Sequence, residues 1–410
     1  MRIATGILVV ILLGSVTTAG VYGGTVLMDS GTLTEQWISD TAREMQSNHH
    51  PVATAETENG TILVAPINEL NAAQGLTESS CSLVRLNSSS GGTEWRASLP
   101  DERCNNHAIT GPTIADIDED GGAEVIVATS DQTLNVYDAA TGGLEWRHPT
   151  TALGYSEPAV AELFPAPGKE IVVADMRGNV SVVYANGSTA WRRNHSMSTW
   201  ANPQVGDFDG DSREEIAIGT ARSLSVYEAD GELAWRRNAT ITELSTGQAD
   251  EDPQPELFIG GRTIVGAIDG GDGELIWSKE ISNADVHPVD DGDGDGTQEL
   301  YITVSGGAVR ALDGTDGTEE WSTQLPGENQ LMPPASMGDL DGNGQAELVI
   351  GTQEGVIYVL DPATGTQLAT YERDVPIYTY PAIADIDEDG SDELLVMYGD
   401  GRVVALSFER

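Results

Sequence analysis

Residues 112–146 read PTIADIDEDGGAEVIVATSDQTLNVYDAATGGLEW and contain every feature that decides the fold. The stretch opens at Pro112, and proline is tolerated at the first residue of a strand. Further β-rich runs follow, and a turn with two glycines then leads to Trp146. The runs are short and show no helical periodicity. We therefore predict four short strands joined by tight turns.

The same unit recurs along the chain. A tryptophan follows a glycine-containing turn at intervals of 51, 45, 44, 42 and 44 residues, at Trp95, Trp146, Trp191, Trp235, Trp277 and Trp321, and Leu368 takes this place in a further copy. A proline opens the first run of seven units, at Pro51, Pro112, Pro158, Pro203, Pro288, Pro334 and Pro381. Four-stranded units of about 45 residues repeated in this way are typical of a β-propeller, with each large aromatic packed between two blades.

The two ends of the chain predict that the ring closes. The last unit begins at Val375 and ends at Arg410 without a fourth strand, which would leave an exposed edge. Residues 31–40 match the missing strand, and Trp37 lies in the tryptophan register. We therefore predict an all-β, eight-bladed propeller over residues 29–410, whose last blade is completed by the N-terminal strand. An open linear array of the same units is the rival architecture.

The charge of the chain restricts its partners. There are 66 acidic and 20 basic residues, a formal net charge of −46, and only Lys169 and Lys279 are lysines. Such a surface repels nucleic acid, so we expect no nucleic-acid partner. Concentrated salt shortens the Debye length to about 3 Å at 1 M and relieves the self-repulsion. The composition therefore predicts a halophilic protein.

The N-terminus predicts export. Residues 3–28 carry no charge and follow a single Arg2. A secretory signal peptide and an uncleaved membrane anchor over residues 1–28 both fit this pattern. Either one places the rest of the chain outside the cytoplasm, anchored to the cytoplasmic membrane, if at all, only by residues 3–28. In an exported chain the two cysteines, Cys81 and Cys104, are expected to form a disulfide.

Five units carry an acidic loop between their first and second strands. Oxygen-bearing side chains stand at loop positions 1, 3, 5 and 9, and the five sets are Asp116, Asp118, Asp120 and Glu124; Asp207, Asp209, Asp211 and Glu215; Asp291, Asp293, Asp295 and Glu299; Asp339, Asp341, Asn343 and Glu347; and Asp385, Asp387, Asp389 and Glu393. Calcium prefers six to eight such oxygens, so the loops predict structural Ca²⁺ sites. Gln248, Asp250, Asp252 and Glu256 form a weaker version, and we expect no metal at residues 162–170 or in the first unit.

A ligand face is expected on the side of the ring opposite the acidic loops. Chain alternation places there a set of aromatic, amide, imidazole and carboxylate side chains close to the prolines: Tyr155, Glu157, Trp200, Asn202, His287, Tyr378 and Tyr380, together with His50. Such a funnel suits a glycan or a small polar ligand. Packing of the aromatic rings beneath loops is the alternative interpretation. The six histidines are otherwise expected to be scattered, solvated or capping turns.

These patterns resemble two known repeats. The tryptophan after a glycine turn resembles the pyrroloquinoline-quinone (PQQ) dehydrogenase-like repeat, whose family folds as eight-bladed propellers. The acidic loop resembles the calcium-binding FG-GAP repeat of integrin α chains. The first resemblance implies a quinoprotein oxidoreductase as one function, yet this chain lacks the adjacent cysteines typical of those enzymes.

No catalytic motif stands out in the sequence: there is no GxSxG, HExxH, P-loop or Cys/His zinc spacing. We therefore expect a calcium-binding recognition or scaffold module of adhesion type at the cell surface, with a glycan or protein partner. A PQQ-dependent oxidoreductase and a polysaccharide lyase are the alternative functions.

Overall fold

The computed structural model describes residues 31–410 except 44–46, 58–59, 69–80, 106, 166 and 251. The N-terminal segment over residues 1–28 therefore lies outside the described residues. Across the described ranges the chain forms 32 strands and one 3-10 helical turn, Asp101–Arg103. No helix in this part of the chain is long and apolar enough to cross a membrane.

The strands form eight four-stranded antiparallel sheets. The N-terminal strand is β1 (Thr32–Ile38). Blade 1 consists of β2 (Ala53–Thr57), β3 (Gly60–Ile67), β4 (Ser82–Leu86) and β5 (Thr93–Ser98). Blade 2 consists of β6 (Thr113–Ala115), β7 (Glu124–Ala128), β8 (Thr133–Asp138) and β9 (Leu144–Pro149). Blade 3 consists of β10 (Ala159–Ala161), β11 (Glu170–Ala174), β12 (Asn179–Val183) and β13 (Thr189–Asn194). Blade 4 consists of β14 (Gln204–Gly206), β15 (Glu215–Gly219), β16 (Ser223–Tyr227) and β17 (Leu233–Asn238).

The second half of the chain repeats this order. Blade 5 consists of β18 (Glu243–Gly247), β19 (Glu256–Gly260), β20 (Val265–Ile268) and β21 (Leu275–Lys279). Blade 6 consists of β22 (Ala284–Asp290), β23 (Glu299–Val304), β24 (Ala308–Asp313) and β25 (Glu319–Gln324). Blade 7 consists of β26 (Ser336–Gly338), β27 (Glu347–Gly351), β28 (Val356–Leu360) and β29 (Gln367–Glu372). Blade 8 consists of β30 (Ala382–Ala384), β31 (Glu393–Met397), β32 (Val403–Glu409) and β1.

The N-terminal strand completes blade 8, as predicted. Strand β1 pairs antiparallel with β32 from Thr32 opposite Glu409 to Ile38 opposite Val404. Leu33 and Trp37 of β1 are buried, and Leu33 packs into the core between blades 7 and 8. The eight-bladed closed ring is therefore confirmed, and the linear array is wrong.

Tryptophans on the outer strands join most blades to the next. In six blades the indole Nε1–H donates to a carbonyl in the turn between the third and fourth strands of the following blade, for example from Trp37 to Ser88 at 2.7 Å and from Trp191 to Ala229 at 2.7 Å. The ring also covers a glycine of that turn: a Cβ on Gly91, which has a φ of +67°, would lie 2.3 Å from the Trp37 ring. The glycine turn is thus required both by its backbone conformation and by the indole packed on it.

Six of the seven prolines predicted to open a blade lie one or two residues before the first strand rather than within it, as Pro112 does before β6. Pro288 differs because it lies inside β22, at an irregularity between Val286 and Val289. A bulge tolerates the missing N–H of proline. The disulfide between Cys81 and Cys104 is confirmed, with the two Cα atoms 5.2 Å apart.

Candidate functional site

The ninth-position glutamate of each acidic loop first serves the fold. Its carboxylate accepts the backbone N–H of the second loop position at 2.8–3.0 Å, in the pairs Ile117 to Glu124, Phe208 to Glu215, Gly292 to Glu299, Leu340 to Glu347, and Ile386 to Glu393. Leu163 makes the same bond to Glu170 at 2.9 Å in the loop that has lost its middle acidic residues. The glutamate alone is therefore not a sign of a metal.

The side chains of the loop aspartates accept hydrogen bonds from the backbone of their own turn and stabilise it. In the loop of blade 6, Asp291 accepts the N–H of Gly296 at 3.0 Å, Asp293 that of Asp295 at 2.9 Å, and Asp295 that of Thr297 at 2.8 Å. These bonds satisfy the backbone of a tight turn. Each carboxylate has about four acceptor positions on its two oxygens, so it can accept such a bond and still bind a cation.

The structure brings together one predicted set in full, and two others without their fifth-position residues Asp120 and Asp211, closely enough to hold a metal ion. The groups whose ligand atoms lie within 4.8 Å of one another include Asp291, Asp293, Asp295 and Glu299; Asp116, Asp118 and Glu124; and Asp207, Asp209 and Glu215. The oxygen atoms Glu215 Oε1, Glu299 Oε1 and Asp116 Oδ1 are buried without a hydrogen-bond partner among the described residues. An unpartnered buried oxygen is costly, and a cation would satisfy it.

The weaker loop of blade 5 gains a ligand that the sequence did not indicate. Asp250 and Asp252 lie with Asp269, which comes from the turn between β20 and β21. Gln248 instead donates its side-chain amide to the Gln254 carbonyl at 3.0 Å. The position-by-position pattern missed Asp269 because the residue belongs to another loop on the same face of the ring.

Two arginines already neutralise part of this acidic charge. Arg213 donates to the Asp211 carboxylate through Nε at 2.9 Å. The guanidinium of Arg410 lies 3.3 Å from Asp341 Oδ2 and 3.6 Å from Glu347 Oε1, in the loop of blade 7. The blade 7 loop therefore carries an internal counter-charge that the other predicted loops do not receive from this residue.

Burial raises the pKa of the ninth-position glutamates Glu124, Glu215, Glu299, Glu347 and Glu393 to about 7. Neighbouring aspartates contribute to this shift because like charges disfavour ionisation. A bound cation would stabilise the ionised carboxylates and so lower these pKa values.

A central cavity of about 970 Å³ opens on the opposite face of the ring. It is lined by the predicted ligand-face residues Tyr155, Glu157, Trp200, Asn202, Tyr378 and Tyr380. His287 lies instead in a smaller cavity of about 330 Å³, which shares Glu157, Asn202 and Tyr380 with the large one. The rings of Tyr155 and Trp200 meet edge to face with centroids 4.8 Å apart, and Trp200 remains 41% exposed.

Three carboxyl groups line the large cavity. Burial raises the pKa of Glu157 to about 7, and the Tyr380 hydroxyl donates to Glu157 Oε1 at 2.8 Å. Burial, together with the charges of Asp285 and Glu157, raises the pKa of Glu243 well above its usual value. Burial also raises the pKa of Asp285 to about 7. Burial thus favours the protonated form of all three carboxyl groups.

The sequence pattern missed Glu243 because it was anchored on the prolines, and blade 5 has none at its first strand. It missed Asp285 because only aromatic residues were considered three residues before a proline, where Asp285 stands relative to Pro288. Counting back from the acidic loop would have found Glu243. It stands five residues before Gln248, as Glu157 stands five before Glu162 and Asn202 five before Asp207. Asp285 escapes this count because of the irregularity in β22.

The expectation that the histidines are scattered is wrong for three of them. His49 and His50 lie with His107 at the cavity. The ring centroid of His49 is 4.5 Å from that of His50 and 4.6 Å from that of His107. They come together because His49 and His50 precede the first strand of blade 1, and His107 precedes that of blade 2. These two loops lie side by side because blades 1 and 2 are consecutive and pack against each other.

Replacing Glu157 by Gln is expected to stabilise the protein at pH 8 by about 3 kcal/mol. The folded-state pKa of about 7 exceeds the unfolded value, so the folded state binds more protons between about pH 4.5 and 7. Stability is therefore lost as the pH rises through this window, and the neutral amide removes that loss. Denaturant titrations of wild type and Glu157→Gln at pH 4 and pH 8 measure the effect. Glu232→Gln, an exposed control, should show no pH-dependent gain, and equal gains for both variants would contradict the argument.

The four-stranded blades form a closed ring, and tryptophans pack on the glycine turns of the following blades. These features define an eight-bladed propeller of PQQ-like repeats. The chain belongs to the family whose model is described as outer membrane protein assembly factor BamB, which matches residues 23–213, 220–379 and 262–409. The predicted resemblance to the PQQ dehydrogenase-like repeat is thereby confirmed. Among curated proteins, none matches the sequence significantly.

Solved structures share this fold at low identity. BamB from Moraxella catarrhalis is 17% identical with a TM-score of 0.63, over 92% of this chain and 98% of that one. Quinohemoprotein alcohol dehydrogenase from Comamonas testosteroni is 11% identical with a TM-score of 0.66, over 92% and 76%. The biofilm matrix protein Bap1 from V. cholerae is 15% identical with a TM-score of 0.51, over 92% and 91%. These neighbours differ in kind, so the fold does not decide the function.

Proposed function

We propose that this chain is an exported recognition or scaffold propeller of adhesion type, stiffened by Ca²⁺ on one face and binding its partner in the central cavity on the other. The observation that carries the proposal is the cavity itself, which combines aromatic rings with three carboxyl groups. The family description as an assembly factor favours a protein partner.

The chemistry of the cavity selects a positively charged or polyhydroxylated ligand. Tyr155 and exposed Trp200 offer π faces, on which cationic groups and sugar rings pack. Glu243 and Asp285 add acceptors, whereas Arg262 is the single arginine among the described residues of the lining. The ligand that best matches this surface is a basic segment of a protein partner. A neutral glycan is the second candidate, favoured by the exposed indole of Trp200.

Calcium is the proposed ion of the acidic loops. The donors are carboxylate and amide oxygens, the hard ligands that Ca²⁺ prefers, on flexible turns that allow high coordination numbers. The buried, unpartnered oxygens of Asp116, Glu215 and Glu299 lie where such an ion would bind. Because every loop begins the second strand of its blade, the ions would stiffen the sheet rather than take part in chemistry.

The quinoprotein alternative fits the cavity poorly. PQQ carries three carboxylates, and the part of the lining that the structure describes presents three carboxyl groups and one arginine, Arg262. The two cysteines are joined to each other at a separation of 23 residues, so they form no vicinal disulfide. Adding PQQ with calcium and assaying dye-linked dehydrogenase activity tests this alternative. The same acidity disfavours an acidic polysaccharide and hence the lyase, for which release of unsaturated sugars is the assay.

Replacing Trp200 by Ala is expected to weaken partner binding at least about 10-fold while leaving the melting temperature nearly unchanged. The side chain is 41% exposed, so its removal opens little of the core. Binding to arrays of basic peptides and of neutral glycans, in molar NaCl with calcium, measures the first effect. Thermal unfolding measures the second.

Leu233→Ala is the matched control, because Leu233 is 46% exposed on an outer strand away from the cavity. Glu243→Gln separates the two ligand classes: it should weaken basic peptides much more than neutral glycans. If Trp200→Ala lowers the melting temperature substantially and leaves binding intact, the aromatic rings are packing elements and the proposal fails.

A further inference from the structure

Three imidazoles meet at the rim of the central cavity. Candidate ligand atoms of His49, His50 and His107 all lie within 4.8 Å of one another, and His49 Nε2 is 3.0 Å from His107 Nδ1. Two nitrogens bound to one tetrahedral zinc ion at about 2.0–2.1 Å each lie about 3.4 Å apart. The spacing of the His49 and His107 nitrogens is therefore close to that of two ligands of one ion.

The tautomer of His49 leaves its Nε2 with a lone pair. Its Nδ1 lies 2.8 Å from the Ser47 carbonyl oxygen, and a carbonyl only accepts, so Nδ1 carries the proton. Nε2 then accepts a hydrogen bond from His107 Nδ1 at 3.0 Å, and a metal ion bound between the two nitrogens would replace the proton of that bond. A backbone carbonyl that fixes the tautomer of a histidine in this way is a common partner of metal-binding imidazoles.

Among the described residues, His50 supplies a ring nitrogen that no hydrogen bond uses. Its side chain is 5% exposed, and its Nε2 is buried without a hydrogen-bond partner. Burying a polar atom without a partner is costly, and a metal ion would satisfy it.

We propose that His49, His50 and His107 form a binding site for a divalent transition-metal ion, with an open coordination position toward the central cavity. Imidazole ligands suit zinc, copper or nickel, whereas the carboxylate loops on the other face suit calcium. Three protein ligands and an open fourth position are typical of sites at which the metal binds an exogenous ligand. The net charge of −46 also concentrates cations near the protein. The site is independent of the proposed recognition function, because it requires no partner.

Calorimetric titration with ZnCl₂ tests the site, using a chain without a histidine tag and with calcium present in saturating amounts to fill the acidic loops. We expect one zinc ion per chain and a loss of affinity of at least about 100-fold in the double variant His49→Ala, His107→Ala. His148→Ala is the control, because His148 lies on β9 beside Arg192. Cobalt(II) substitution should give the visible absorption of a four-coordinate site in wild type and in the control only.

If the double variant does not fold, His107→Gln replaces it, since His107 is only half-buried in a loop. Absence of zinc binding in wild type under excess calcium overturns the proposal. So does zinc binding that the histidine variants leave unchanged, because the ion would then lie elsewhere. Neither result affects peptide or glycan binding, so failure of the metal site is distinguishable from failure of the recognition function.

Discussion

A chain that begins at Ser39, without β1, is expected to lose at least about 5 kcal/mol of stability and to self-associate. Removing β1 leaves β32 as an unpaired edge along its whole length. It also uncovers the apolar surface that Leu33 and Trp37 bury, and breaks the Trp37 contact with Ser88 of blade 1. Denaturant unfolding and size-exclusion chromatography measure the two effects.

A chain that begins at residue 29 keeps β1 and is the control for removal of the N-terminal segment. Trp37→Ala and Gln36→Ala refine the comparison, because the two residues are neighbours at the bulge of β1 and only Trp37 is buried. We expect Trp37→Ala to lower the stability of the protein and Gln36→Ala to leave it almost unchanged. Equal stability of the chains beginning at residues 29 and 39 would contradict closure by β1.

A circular permutant tests the same closure without loss of sequence. Thr32 pairs with Glu409, so Arg410 and Gly31 lie at neighbouring ends of an antiparallel pair. An Asn-Gly linker from Arg410 to Gly31 would form a two-residue hairpin turn. With its new N-terminus at Thr41, this permutant should fold with the stability of wild type.

The fold was predictable from sequence because it is a repeat. One tryptophan and one glycine turn per blade set the register, and the missing last strand indicated where residues 31–40 belong. The prediction failed where a blade departs from the repeat: the irregularity in β22 places Pro288 inside a strand and carries Asp285 into the cavity. An inserted residue moves the side chains beyond it to the opposite face of the strand. A strictly periodic sequence pattern cannot predict where such an insertion occurs.

The site was less predictable, because its parts come from different blades. Aromatic residues counted from the prolines line the cavity, since they share one loop class. The histidine cluster was not found because His49 and His107 are 58 residues apart and meet only when blades 1 and 2 pack side by side. Asp269 was missed because it comes from a different turn of the same blade. Proximity between separate loops is a property of the folded protein and not of any local spacing.

Removing calcium is expected to lower the melting temperature by on the order of 10 °C. An ion that binds only the folded state at 100 times its Kd contributes about 2.7 kcal/mol, and five loops are predicted to bind one. Without the ions, crowded carboxylates such as Asp291, Asp293 and Asp295 repel one another and leave Glu299 Oε1 unsatisfied. Thermal unfolding with EGTA, and after addition of calcium in excess, measures the effect at constant molar NaCl.

Substitutions should divide this effect among the loops. Asp291→Asn with Asp293→Asn should remove a large part of the calcium-dependent shift, because this loop gathers four carboxylates. The same change at Asp339 and Asp341 should remove less, since Arg410 already supplies a positive charge there.

The charge-matched control is Glu102→Gln with Glu280→Gln, two exposed residues outside the loops. It removes two negative charges, so it should stabilise slightly in low salt and leave the calcium-dependent shift intact. This contrast separates ion binding from general relief of repulsion, because screening by molar NaCl acts on all surface carboxylates alike. A melting temperature that EGTA does not change would show that hydrogen bonds within the turns hold these loops without metal.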